Sequence, residues 1–218
     1  MTITRDSIAA RYRALGYQKG WGFIACPEKR LYDAEVAIVG LNPGGGGADD
    51  AFVYSEVWDT PEGNAYFKQK WGKNGAETPV QGQVRAWHRV LGLSEDDTLC
   101  AQFIPFRSPD YARLGNQAEA IAFARELWTW VLDESPATLF ITMGKLAGWH
   151  IADLLGGRLV AQLPTGWKRQ MIDVYDLPSK RRVVAMPHPS RFTLFDRGAP
   201  SEIAEQSLRV AAHVEGRP

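Results

Sequence analysis

Short apolar runs separated by stretches of helical periodicity recur along this chain, and that alternation restricts its fold more than any other feature. Glu35–Leu41 (EVAIVGL) is a β-branched run that ends in Asn-Pro-Gly, and Thr98–Ile104 is a second run, closed by Pro105. Thr138–Met143 reads as a third strand, and Gln170–Leu177 and Arg182–Met186 as two more. Helices are expected between and around them: Thr4–Leu15, Val84–Leu91 stopped by Gly92, Asn116 to about Leu132, Lys145–Leu155 stopped by Gly156-Gly157, and Glu202–His213. Asn116 with Glu119 has the pattern of a capping box, and Ser201 that of an N-cap. Apolar strands alternating with helices imply a mostly parallel sheet covered on both faces. Such sheets bind ligands beyond the carboxyl ends of their strands, so candidate motifs belong just after strands.

Other functions are narrowed by composition. The 218 residues suit one sizeable core, read as a single domain over 1–218, and no apolar run approaches the roughly 20 residues of a membrane helix. The segment Met1–Tyr12 is polar and mixed in charge, unlike a signal peptide, so a cytoplasmic location with no membrane partner is expected. Only Cys26 and Cys100 are present, without CxxC spacing, which excludes a four-cysteine metal site within the chain; two buried thiols are the expected state. Net charge is zero, but its distribution is uneven. Arg158–Arg197 carries eight basic residues against three acidic ones, whereas Ala48–Ala65 carries five acidic residues and no basic one. A phosphate-binding face fits the first segment; two solvated surfaces of opposite sign would fit equally.

Two loops stand out. Gly40-Leu41-Asn42-Pro43-Gly44 directly follows the first strand; it could be a plain turn, and since no Lys-Ser/Thr pair follows Gly44–Gly47, it is not a Walker loop. Pro187-His188-Pro189-Ser190-Arg191-Phe192 directly follows the last strand, and prolines on both sides hold the imidazole in one direction. Taken together and in this order, GLNPG and HPSRF resemble the paired motifs of the uracil-DNA glycosylase superfamily. They are most similar to the mismatch-specific and single-strand-selective branches, which use Asn in the first motif. QFIPFRSP and LFITMGKLA fall where that family has its intermediate strands, so the resemblance covers roughly residues 35–215.

The resemblance implies a three-layer α-β-α fold with a central, mostly parallel four-stranded sheet. It also implies a monofunctional DNA glycosylase of base excision repair, a hydrolase that flips an altered base out of single- or double-stranded DNA and cuts its N-glycosidic bond. Asn42 would orient the attacking water, and His188 would donate a hydrogen bond to the departing base. Gly40, Leu41, Gly44, Gln102 and Phe52 would surround the base; Ser190 and Arg191 would contact the DNA backbone, with Phe192 filling the gap left in the stack. No metal or cofactor is called for.

Three departures matter. Gly44 stands where the strict uracil enzymes carry a thymine-excluding Tyr, and Gln102 stands where relatives carry an Asn that reads the base edge. The long Gly44–Gly82 segment holds Phe52, Tyr54, Trp58, Tyr66, Phe67 and Trp71, either a lid that stacks on the base or packing beneath the loop. Two other readings stay open: a non-catalytic nucleic-acid-binding module that captures a flipped or unpaired base, and hydrolysis of a free nucleoside or nucleotide.

Overall fold

The computed structural model describes residues 2–44 and 56–213. Its centre is a six-stranded sheet in the order β2-β1-β3-β6-β5-β4. The strands are β1 (Val36–Gly40), β2 (Thr98–Gln102), β3 (Leu139–Met143), β4 (Arg158–Pro164), β5 (Met171–Leu177) and β6 (Arg181–Met186). β2, β1, β3 and β6 run parallel, while β5 is antiparallel to β6 and β4 to β5. The expected four-stranded sheet is therefore too small. Four parallel strands are present, but a β4–β5 hairpin extends them on one side.

β4 gave no strand signal because it lies on the rim. Arg158, Leu159 and Val160 are exposed, so no apolar alternation marks its segment. β1 and β3, by contrast, are buried at every position, which is why they read as unbroken apolar runs. The opposite rim is closed by the segment Trp21–Cys26. Its backbone bonds to β2 through Gln102 N–H to Phe23 O (2.9 Å) and Ala25 N–H to Cys100 O (2.7 Å).

The helices are α1 (Arg5–Ala14), α2 (Arg30–Asp33), α3 (Ala65–Lys68), α4 (Pro79–Leu91), α5 (Gln117–Glu134), α6 (Lys145–Leu154) and α7 (Glu202–Ala212). The crossover from β1 to β2 moves one way along the sheet and that from β2 to β3 moves back. Right-handed connections therefore put α4 and α5 on opposite faces. α6 joins α5, and α7 joins α4. α6 lies unusually close to the sheet: a Cβ on Gly148 would meet Ala185 Cβ at 2.5 Å and Thr142 Oγ1 at 2.8 Å. No helix among the described residues is long and apolar enough to cross a membrane.

Local expectations are corrected in several places. α4 begins at Pro79 rather than Val84, because Thr78 and Gln81 form a capping box and Pro79 occupies the first turn. The Asn116–Glu119 box does not form, since Asn116 has φ +49° and its amide donates instead to Leu15 O. Ser201 precedes α7 but makes no side-chain cap; its hydroxyl accepts from Arg197 N–H. β2 ends at Gln102, two residues short of Ile104. Cys26 and Cys100 are buried free thiols, as expected.

Much of the long aromatic segment packs inward. Trp58 lies against Phe23 and Trp130 at 5.4 and 6.1 Å, and Phe67 lies edge-on to His88 at 4.8 Å. Tyr66 is buried, with the 43% exposed Trp71 set edge-on against its ring. These residues favour packing beneath the loop over a lid. Tyr54 and Phe52 lie outside the described residues.

Candidate active site

The register of the sheet brings the two motif loops to one edge. Gly40 is level with Gln102, Val39 with Thr142, and Met143 with Met186, so the four parallel strands finish together. The loops after β1 and β6 then emerge with only β3 between them, roughly 10 Å apart across the sheet.

The first loop is held against the chain that follows β2. Phe103 N–H donates to Gly40 O and Ile104 N–H to Leu41 O, both at 2.8 Å, and Ser108 N–H donates to Pro43 O at 3.2 Å. The Arg107 guanidinium adds a bond to Gly44 O. Asn42 sits half-buried on this scaffold, and its Nδ2 donates to Pro43 O (3.1 Å) and Ser108 O (3.4 Å). Because the amide is planar, anchoring Nδ2 to the backbone turns Oδ1 the other way, as an acceptor. Leu41 packs on the core, whereas Gly44 is exposed, with nothing within 4 Å of where a Cβ would stand.

Gln102 lies across Gly40. A Cβ on Gly40 would fall 2.1 Å from Gln102 Oε1, so only glycine leaves room for the amide there. Gln102 Oε1 is buried without a hydrogen-bond partner, while Nε2 stands 3.5 Å from Tyr66 Oη.

In the second loop, His188 is half-buried and lies beside Gly144, the residue after β3; a Cβ at Gly144 would stand 3.4 Å from His188 Cδ2. His188 Nδ1 receives the Ser190 backbone N–H at 3.2 Å and lies 2.8 Å from the Ser190 hydroxyl. A backbone N–H can only donate, so Nδ1 must be unprotonated and the neutral ring carries its hydrogen on Nε2. Burial, with the Arg191 charge beside it, pushes the His188 pKa below its ordinary value and favours this neutral form. Both donors of Ser190 are thus directed at His188 rather than outward. The loop closes as Arg191 and Phe192 N–H groups turn back onto His188 O at 3.0 and 3.2 Å.

The β4–β5 hairpin reaches the same edge, because β4 runs parallel to β6. Its tip carries Trp167, Lys168 and Arg169. Phe192 packs edge-on to Trp167 at 6.4 Å, and the Arg197 guanidinium lies 4.2 Å from the Trp167 ring centre. Within Arg158–Arg197 each carboxylate is already paired: Asp173 with Lys145, Asp176 with Arg182 and Asp196 with Arg89. Lys168, Arg169, Arg191 and Arg197 are exposed around the aromatic pair.

Among the sequence-predicted residues, Gly40, Leu41, Asn42, Gly44 and Gln102 therefore gather at the ends of β1 and β2, and His188, Ser190, Arg191 and Phe192 at the end of β6. Phe52 lies outside the described residues. Sequence reasoning named Tyr66 only as part of the aromatic segment and passed over Met143, Gly144 and Trp167 as site residues; Met143-Gly144, at the end of a strand, carried the same positional signal as the two motifs. Two clefts, of about 420 and 310 Å³, lie elsewhere, one beside Trp58 and Trp130 and the other at the opposite edge beneath Val36 and Leu93. No group of three His, Cys, Asp or Glu residues among the described residues is arranged to hold a metal ion. No known protein-family model matches the sequence, and no curated protein matches it.

Proposed function

We propose that this protein is a monofunctional DNA glycosylase that hydrolyses the N-glycosidic bond of an altered base flipped out of DNA. The observation that carries the reading is that loops at one sheet edge hold Asn42 with its Nδ2 on backbone carbonyls, which leaves Oδ1 as an acceptor, and His188 with its Nδ1 accepting from Ser190, which leaves the hydrogen on Nε2. Cleavage leaves positive charge on the sugar and negative charge on the departing base. Asn42 Oδ1 accepts a hydrogen bond from water and orients it toward the sugar; an amide is too weak a base to do more. His188 Nε2–H donates to the base oxygen as it becomes negative, a contribution of about 3 kcal/mol for one well-placed donor. Ser190 fixes the tautomer and direction of the ring that does this.

The exposed cations at the hairpin tip and beside Phe192 supply sequence-independent attraction for phosphates on either side of the flipped nucleotide. Trp167 and Phe192 together offer the apolar surface that a disrupted stack requires. The test is direct. Labelled single- and double-stranded oligonucleotides carrying uracil, 5-substituted uracils, hypoxanthine or xanthine are incubated with the protein, treated with alkali and resolved by length. Strand cleavage at one of these bases, lost in Asn42→Ala and His188→Ala, is the expected outcome. Absence of cleavage at every base defeats the reading.

A further inference from the structure

We infer that Tyr66, acting with Met143, locks the Gln102 amide so that the site accepts a hydrogen bond from its base and therefore selects bases whose pairing edge carries a ring N–H. The inference rests on the glycosylase reading for its substrate but on separate residues for its logic. Tyr66 comes from α3, outside both motifs, and its Oη lies 3.7 Å from Met143 Sδ and 3.5 Å from Gln102 Nε2. The phenol hydrogen points to Met143, whose thioether sulfur can only accept, and the oxygen lone pairs face Gln102, which donates from Nε2. The amide must then present its NH₂ to Tyr66. Burial raises the Tyr66 phenol well above its ordinary value, so this hydrogen stays in place.

With Nε2 held, Oε1 is the atom left over. It lies above Gly40, the last residue of β1 and two positions before Asn42, and it is buried with no hydrogen bond. An unpaired buried acceptor is unfavourable, and a base that brings a donor relieves it while a base that brings a second acceptor worsens it. An unconstrained glutamine would discriminate little, because rotation about its last bond exchanges donor and acceptor. Tyr66 and Met143 remove that freedom.

The experiment uses the full chain and four oligonucleotides in two pairs: uracil against pyrimidin-2-one, and hypoxanthine against unsubstituted purine. The first of each pair has an N–H at the ring position where the second has a bare nitrogen. Single-turnover release gives a donor-to-acceptor ratio for each pair. Dividing the wild-type ratio by that of a variant cancels intrinsic differences between leaving groups. Tyr66→Phe removes one oxygen from a packed ring and should lower the ratio about tenfold, the scale of one hydrogen bond. Met143→Leu preserves volume but removes the sulfur. It frees the phenol to donate to the amide, which then turns Nε2 toward the site and shifts preference to the acceptor bases. Unchanged ratios in both variants, or equal loss on all four bases, overturn the inference. If the wild type releases no base, the glycosylase reading fails by itself. Equilibrium binding of the same four oligonucleotides then decides the pairing, and equal or absent binding to all four overturns it.

Discussion

At the scale of single residues, the proposed mechanism separates orientation, assigned to Asn42 and Ser190, from chemistry, assigned to His188. His188→Ala should lower single-turnover release by about a hundredfold or more, as expected for loss of one donor to a developing negative charge. Its melting temperature should stay near wild type, because the half-buried ring stands in a loop. Ser190→Ala leaves the backbone N–H on Nδ1 but removes the hydroxyl 2.8 Å away, so a smaller loss, about tenfold, is expected. A Ser190→Ala protein as impaired as His188→Ala would mean that the hydroxyl does more than hold the ring. The pH profile carries a sign. In the proposed mechanism His188 acts as a neutral donor and its pKa is pushed down, so activity should stay level through the ordinary histidine value of about 6.5 and fall only at lower pH. Activity that instead rises with acidification would assign the imidazolium to the chemistry. Gly40→Ala should be damaging despite adding one methyl, because that methyl falls within the Gln102 amide. Release measurements on the uracil and hypoxanthine oligonucleotides would show the loss.

Among the elements, the β4–β5 hairpin is the addition that most alters the expected sheet. It carries Lys168 and Arg169 to the same edge as His188, and it gives Phe192 a partner in Trp167. Phe192 is therefore not isolated on its loop. Lys168→Gln with Arg169→Gln should reduce the slope of log affinity against log salt by about 1.5, the share of two phosphate contacts. The rate of release from saturated complex should be nearly unchanged. Fluorescence anisotropy of a labelled oligonucleotide at four salt concentrations measures the slope, and an unaltered slope would remove the hairpin tip from the DNA interface. The α3–α4 region works differently. Asn64, His88, Thr98 and Cys100 form a buried polar network that ties α3 and α4 to β2, with Asn64 Nδ2 also donating to Glu95 O. That network places Tyr66 beside Gln102, so a loop with no motif of its own reaches the site through packing.

For the molecule as a whole, the histidines set a common response to acid. His88, His150 and His188 all have pKa values lowered chiefly by burial. The unfolded chain takes up protons near the ordinary histidine pKa of about 6.5, whereas the folded chain resists until lower pH. Folding stability is therefore complete above that value and declines as pH falls below it. Thermal melts at pH 7.5, 6.5 and 5.5 should show a falling midpoint. Replacing His150, whose Nδ1 is buried without a hydrogen bond, with Gln should flatten part of the decline. A midpoint constant across the range would show that the imidazoles do not limit stability.

What the linear chain determined by itself was whatever depends on local pattern. β1, β2, β3, β5 and β6 were legible because their buried segments are largely apolar or β-branched runs, and the two motifs were legible because prolines and glycines mark where such strands break. From alternation came the layered arrangement, and from position after a strand came the edge on which Asn42 and His188 would stand. Tertiary structure decided the rest. β4 is a strand only because β5 offers it a partner; its exposed side chains carry no periodic signal. Asn116 abandoned its cap because Leu15 O, far along the chain, lay within reach. Ser190 bonds to His188 because the loop turns back on His188 O, a closure that no residue spacing encodes. Tyr66 reaches Gln102 across 36 positions of sequence, and the free acceptor that results belongs to neither residue alone. Contacts of that kind are fixed by packing in three dimensions, where the hydrogen-bonding capacity of one side chain depends on which atoms its distant neighbours have already taken.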